Sequence, residues 1–234
     1  ENRRVESDRV LGVDACRAGW VAVAPDDTGV RAYVSADLAT VVAQADGDGP
    51  VAVVAVDIPI GLPDNGRRRA DVLARDRIGP RRSSVFMTPV RDALEAADHA
   101  EAVRINRRLA GEGVSIQAYA LRRKLLAAND WVATADRTVV EAHPEVSFAH
   151  LAGAPLATRK ATWAGAEQRR LLLATAGIRP SGDLGLSGAD VGVDDVLDAA
   201  AIAWTARRVL SGQALSVPDP PERFSDGLPA AIRI

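Results

Sequence analysis

Val10-Leu11-Gly12-Val13-Asp14-Ala15-Cys16-Arg17-Ala18-Gly19-Trp20-Val21-Ala22-Val23 is an apolar run, one acidic residue, a tight polar corner and a second apolar run. That order predicts a buried strand turning into an antiparallel neighbour. An aspartate closing a core strand needs compensation, because a desolvated carboxylate without a partner is costly or takes up a proton. Asp14 therefore wants a metal ion, an arginine or a nest of backbone amides.

Working outward, Asp26-Asp27-Thr28-Gly29 signals a turn and Val30 to Val34 a third short strand, which completes a meander. Ser35 to Ala45 carries Leu38, Val41, Val42 and Ala45 at helical spacing, with Ser35 or Asp37 as cap. Val51 to Val56 is unbroken and apolar, so it can only be covered on both faces, as a central parallel strand is. It ends in Asp57, and Pro59 and Pro63 forbid its continuation. Ligands of a parallel sheet gather at the carboxyl ends of its strands, so Asp14 and Asp57 are expected to face one crevice.

Residues 64 to 91 hold Arg67-Arg68-Arg69, Arg75, Arg81, Arg82, Ser83 and Ser84. A helix over Ala70 to Arg77 followed by a long functional loop is predicted there. Helices follow over Asp92 to Ala110 and Ser115 to Ala128, divided at Gly111-Glu112-Gly113. Thr138 to Glu141 reads as a strand that again ends in a carboxylate, and Pro144 opens a short helix reaching Leu151. Trp163 to Ala176 is amphipathic, Ser181 to Gly192 is a loop rich in Gly, Ser and Asp, and a last helix runs from Asp194 to about Leu210. Ala230 to Ile234 is apolar enough to add a strand.

With 234 residues, 47% hydrophobic and only 4% aromatic, the chain fits one soluble α/β domain with a full core. No apolar run approaches a membrane span, and Glu1 to Arg9 is polar, so neither a span nor a signal peptide is read and a cytoplasmic location is expected. Cys16 stands alone, which excludes an intrachain disulfide and a thiolate metal cluster. The net charge of -2 selects no partner, and the oligomeric state is left open. Lys124 and Lys160 are the only lysines; the arginine doublets either grip phosphate or solvate helix faces.

Asp195 and Asp198 lie three apart on one helix face, with Asp194 free to serve as the cap. Together with Asp14, Asp57 and Glu141 or Glu145 they make a set of carboxylates on rigid elements that would repel one another strongly. Divalent ions remove that conflict. Two hard cations, Mg2+ or Mn2+, about 3.5–4 Å apart clamp the attacking and leaving oxygens of a phosphoryl transfer.

Several ordered boxes resemble one family. They are Gly12-Val13-Asp14-x-Cys16-x-x-Gly19-Trp20-Val21, Asp57-Ile58-Pro59-x-Gly61-Leu62-Pro63, Arg69-x-Asp71-x-x-Ala74-Arg75 and Gly79-x-Arg81-x-Ser83-Ser84-Val85-Phe86. Glu141-x-His143-Pro144-Glu145-x-Ser147-Phe148, then Lys160, Gly165, Arg169 and Asp194-Asp195-x-x-Asp198-Ala199 continue them. The family is domain of unknown function 429, described as a predicted nuclease of ribonuclease H-like fold, and the resemblance runs from about residue 10 to the end. It implies an α/β fold with three antiparallel strands, then parallel strands, in one mixed sheet flanked by helices. The single domain, residues 1–234, would carry a helical and loop insertion at about 64–130. By the same resemblance Asp14, Asp57, Asp195 and Asp198 are catalytic and metal-binding, with Glu141 as a further catalytic carboxylate and Glu145 as a further ligand. Arg75, Arg81, Ser83, Ser84, His143 and Lys160 become substrate contacts. Ala70 stands where that family often has cysteine, which argues against thiol chemistry in the insertion.

The activity expected is metal-dependent hydrolysis of nucleic-acid phosphodiester bonds. Two other classes use the same core. One is an actin-like ATPase or kinase whose Asp14 corner cradles phosphates; the other is a binding protein whose acids pair with Arg75 and Arg81.

Overall fold

The computed structural model describes residues 8–27, 29–186 and 191–234. Most of the polar N-terminal stretch, Thr28 of the second turn, and residues 187–190 of the Gly, Ser and Asp-rich loop lie outside the described residues. The chain opens with β1 (Val10–Cys16), β2 (Gly19–Asp26), β3 (Gly29–Ser35), α1 (Leu38–Gly47) and β4 (Val53–Val56). Next come α2 (Arg69–Ile78), a 3-10 turn (Gly79–Ser84), α3 (Arg91–Leu94), α4 (His99–Ala110), α5 (Ile116–Ala120) and α6 (Arg122–Thr134). It closes with β5 (Thr138–Ala142), α7 (Pro144–Ala152), α8 (Trp163–Thr175), α9 (Val193–Leu210), β6 (Ser216–Arg223) and β7 (Pro229–Arg233).

Two compact units result. The first, residues 1–57, 136–214 and 233–234, holds strands in the order β3-β2-β1-β4-β5. β1 runs antiparallel to β2 with Asp14 opposite Val21, and β2 antiparallel to β3. β4 is parallel to β1, with Gly12 beside Ala55, and β5 is parallel to β4. The meander and the parallel strands are thus as the apolar runs predict. The backbone amide of Asp57 donates to the Val13 carbonyl at 2.9 Å, which carries the ladder one residue past β4 and sets Asp57 level with Asp14.

One helix covers the face of this sheet that matters for the site. Strand alternation puts Val10, Gly12 and Asp14 on one face of β1, and Val10, Val53, Ala55 and Ala142 pack with Ile202 and Ala206 of α9. The helix is built for close approach: Ala199, Ala200, Ala201, Ala203 and Ala206 are all buried. A Cβ on Gly12 would stand 2.1 Å from the Ala199 carbonyl oxygen and 2.3 Å from the Ala203 nitrogen. Only glycine admits the helix backbone so near. α7 joins α9 through a buried 2.8 Å hydrogen bond between the Ser147 and Thr205 hydroxyls. Cys16 is a small apolar group in the same layer, clustered with Val21, Val23, Phe148, Leu173 and Leu197.

The second unit comprises residues 58–135 and 215–232, with the range 64–130 inside the first of these segments. Its centre is polar and closed on itself. Buried Arg68 donates to Asp71 at 2.9 Å, to the Thr88 hydroxyl at 3.2 Å and to the Ile60 carbonyl at 3.0 Å, while Asp71 accepts from the Thr88 amide at 2.7 Å. The middle arginine of the triplet is therefore a structural ion pair, neither a phosphate grip nor a solvated helix face. Asn129 similarly accepts from the Gly61 amide and donates to the Pro59 carbonyl, both at 2.8 Å.

Three boundaries differ from expectation. The helix predicted over Asp92 to Ala110 is broken into α3 and α4, because Asp98 caps a new start by accepting from the Glu101 amide at 2.9 Å. The segment Ser115 to Ala128 divides into α5 and α6 at Leu121. β6 was hidden by its prolines, Pro218, Pro220 and Pro221, which an outer strand tolerates because its outward side needs no amide donor.

The fit at Gly12 gives a direct prediction. Gly12→Ala should lower unfolding free energy by about 2 kcal/mol or more, as overpacking does. Gly47→Ala, where an added Cβ meets nothing within 4 Å, should be neutral or slightly stabilising. Urea denaturation of the two variants checks the contrast; equal midpoints would contradict the packing described.

Candidate functional site

At the carboxyl ends of β1 and β4, Asp14 and Asp57 come from strands that neighbour each other in parallel, and α9 lays Asp198 over the same face. Asp14 is 6% exposed and Asp198 3%, whereas Asp57 is half-buried. Asp14 Oδ1 accepts from the Ala15 amide at 2.7 Å, and its carboxyl group and that of Asp57 interact electrostatically.

Into this cluster reaches Lys160, from the loop between α7 and α8. Its Nζ lies 2.7 Å from Asp198 Oδ2 and 3.3 Å from Asp194 Oδ2. Asp198 Oδ1 is buried and has no hydrogen-bond partner among the described residues. The helix start also differs from the sequence reading: Gly192 is the N-cap of α9, and Asp195 reaches back to accept from the Gly192 amide at 3.0 Å. Asp194 is therefore an ion-pair partner instead of the cap expected of it, and Asp195 makes the hydrogen bond at the helix start. Asp195 still contributes negative charge at Asp14, behind Asp57 and Asp198.

Negative charge outweighs positive here, and the titration of each group records it. Burial first, then Asp57 and Asp198, push Asp14 well above the carboxylate range, with Lys160 opposing. Burial raises Asp57 to about 7 against the pull of Lys160 and the hydrogen bond from Asp14. Asp198 is raised to about 6, chiefly by burial, with Lys160 holding it down and Asp57 and Glu145 pushing it up. For Lys160 burial works downward, yet Asp198, Asp194 and Asp14 hold its ammonium above its usual range. One lysine thus faces acids that it cannot fully neutralise.

The other expected residues divide by position. Glu145, in the first turn of α7, is ion-paired with Arg169 of α8; both are buried, and Arg169 also donates to the Gly165 carbonyl at 3.2 Å. Glu145 Oε2 has no hydrogen-bond partner among the described residues. His143 is the N-cap residue of α7 and half-buried. Glu141 is buried opposite Val56 in the parallel register. Alternation then turns it to the face away from Gly12, Ala55 and α9, so it does not join Asp14, Asp57 and Asp198. Arg75, Arg81, Ser83 and Ser84 belong to the second unit, where Arg75 donates to the Val85 carbonyl at 2.7 Å and Ser84 to the Arg81 carbonyl at 2.8 Å.

Sequence reading undervalued Lys160 as the counter-ion of the acids. One signal was available: in a chain whose cations are almost all arginine, a lysine is a compact, mobile charge chosen against the background. As donors, the three aspartates offer only hard oxygen, the chemistry that Mg2+ or Mn2+ takes. With Lys160 seated on Asp198, no group of three or more His, Cys, Asp or Glu side chains among the described residues is set to hold a metal ion.

A family model described as "Protein of unknown function (DUF429)" matches residues 12–223. No curated protein and no solved structure matches. Among the described residues no helix is long and apolar enough to cross a membrane.

The raised carboxyls set the sign of the pH dependence. The folded state holds the Asp57 proton to about pH 7 while an unfolded chain releases it near 3.8, so this contribution is present in acid and lost as pH rises through about 7. In chelator, the chain should be less stable at pH 8 than at pH 6. Asp57→Asn should raise the melting temperature at pH 8 by about 2 °C or more, the effect of about 1 kcal/mol in a chain of this size, and should flatten the slope. Thermal melts across that range check it, and an unaltered slope would count against the acid cluster.

Proposed function

We propose, on the premise that the chain belongs to the family described as Protein of unknown function (DUF429), that it is a divalent-metal-dependent phosphodiesterase acting on nucleic acid. The observation that carries this reading is the surplus of carboxylate at the ends of β1 and β4: among the described residues, Asp14, Asp57 and Asp198 stand against the ammonium of Lys160, and one buried oxygen of Asp198 has no hydrogen-bond partner. The antiparallel meander followed by parallel strands is in keeping with a ribonuclease H-like core. Asp14, Asp57 and Asp198 are the residues that would hold Mg2+ or Mn2+. When bound, such ions neutralise charge at the phosphoryl oxygens and activate a water nucleophile.

The protein's own part follows from its geometry. β1, β4 and α9 fix three carboxylates on rigid elements, so their repulsion is built in before any ligand arrives. Lys160 occupies the cation position on Asp198 from a flexible stem and a loop, and its side chain is 42% exposed. Released from Asp198, its ammonium is free to meet a substrate phosphate. With its carboxyl raised to about 7, Asp57 can hold and give up a proton near neutral pH.

Two variants test the proposal. Mn2+ titration followed by calorimetry should show saturable binding to the wild type that Asp14→Asn with Asp57→Asn removes while leaving the fold intact, and phosphodiester hydrolysis should disappear with it. Lys160→Met should lower stability in chelator, since breaking a buried pair costs about 3–5 kcal/mol and this half-exposed one less. It should also enlarge the stabilisation that Mn2+ confers. Hydrolysis undiminished in chelator would overturn the metal assignment and leave the Asp14–Asp57 pair acting as acid and base.

A further inference from the structure

We infer that a cavity beside the acid centre, walled by Trp163, is a nucleobase subsite, and that the substrate enters as single-stranded nucleic acid. This rests on the reading of the acid centre as a phosphodiester site. The cavity measures about 360 Å³, and its walls include Lys160, Thr162, Trp163, Arg170, Val193 and Asp194. Lys160 and Asp194 are shared with the acid centre, where they form the ion pair described above, so the cavity adjoins it.

The wall chemistry selects the occupant. Trp163, the first residue of α8, is 81% exposed, and Val193, the first of α9, is also exposed. A large aromatic and a branched aliphatic residue in water make a stacking surface with nothing of the core's role, since Trp is ordinarily well buried. The wall itself carries two cations and two acids: Arg170 is paired with Glu167 at 2.9 Å, and Lys160 lies 3.3 Å from Asp194 as well as 2.7 Å from Asp198. A neutral wall with a bare indole suits a flat uncharged ring with polar edges better than a phosphate. The volume falls at the lower end of the range, about 300–1,000 Å³, that takes a small-molecule ligand. A base stacked on Trp163 would carry its own phosphate toward Lys160. Stacking of that kind needs a base out of its duplex, because a paired base has both faces covered by neighbours.

The test uses the full chain in chelator, with single-stranded oligothymidylate as the probe and intrinsic tryptophan fluorescence as the signal, Trp163 being the most exposed tryptophan with Trp20 buried. Saturable quenching is expected for the wild type. Trp163→Ala should weaken binding, measured by anisotropy of a labelled strand, by about five-fold to a hundred-fold, the usual loss for a stacked base. Trp163→Phe should retain most of it. Leu171→Ala, which removes a side chain 59% exposed on the same helix but outside the cavity, should change nothing. Equal binding by wild type and Trp163→Ala would overturn the subsite, as would blunt duplex binding as tightly as the single strand. So would self-association through this face, seen as a mass that rises with concentration and is abolished by Trp163→Ala without any oligonucleotide bound. Mn2+ titration of the wild type separates the two proposals: ion binding without oligonucleotide binding would overturn the subsite alone, and absence of ion binding would overturn the acid-centre reading.

Discussion

The distance between α9 and β1 governs the first unit. Gly12 has no side chain, and the helix backbone fills the space where one would be, with the Ala199 carbonyl and the Ala203 amide as its nearest atoms. Such contact requires small residues on the helix as well, which the run from Ala199 to Ala203 supplies, interrupted by Ile202 where the sheet offers Val10, Val53 and Ala55 to pack on. Asp198 is one residue before that run. Its carboxylate is therefore delivered to the end of β1 by the same packing that excludes water from it, and the charge cluster is a by-product of close approach that the fold cannot avoid while Gly12 and Asp198 both remain.

Charge, by contrast, is left unbalanced. A protein selected only for stability would replace a buried acid pair such as Asp14 and Asp57 by apolar groups, since buried ion networks rarely repay their desolvation. Here the imbalance is kept, and the cation paired with Asp198 among the described residues is a lysine on a loop, not an arginine on a helix. The contrast with Glu145 and Arg169 is instructive. That pair lies between two helices, fully enclosed, with the guanidinium also bonded to Gly165 and set over the Phe148 ring at 5.3 Å. Arginine in that fork geometry is a fixed part of the core, while Lys160 is a point charge on a flexible stem.

How much could be read in advance depended on whether the signal was local. Asp14 and Asp57 were legible because each ends an unbroken apolar run, and a strand-terminal carboxylate is conspicuous against valine and leucine. The meander and the parallel strand followed from the same runs. Arg68 and Arg169 were opaque: an arginine's burial depends on an acid that meets it only in three dimensions, Asp71 in one case and Glu145 in the other. Glu141 ends a strand as Asp14 does, so it looked equivalent; the difference is a register shift of one residue, which flips a side chain to the other face and has no trace in the sequence of β5 alone. β6 was hidden because its prolines speak against an inner strand and not against an outer one.

Rigidity and mobility are thus divided between elements in a way that bears on function. Three acids are fixed by the sheet and by a helix pressed against it, so exchanging their counter-ion requires no movement of the core. Lys160 lies between α7 and α8, and α8 is anchored one turn and more away by Arg169 and Leu173, which are buried. Trp163 stands at the boundary between the loop and that anchored helix. The arrangement sets the tethered cation apart from the carboxylates and the exposed ring, so the repulsive cluster is held by rigid elements of the first unit while its counter-ion is carried on a loop.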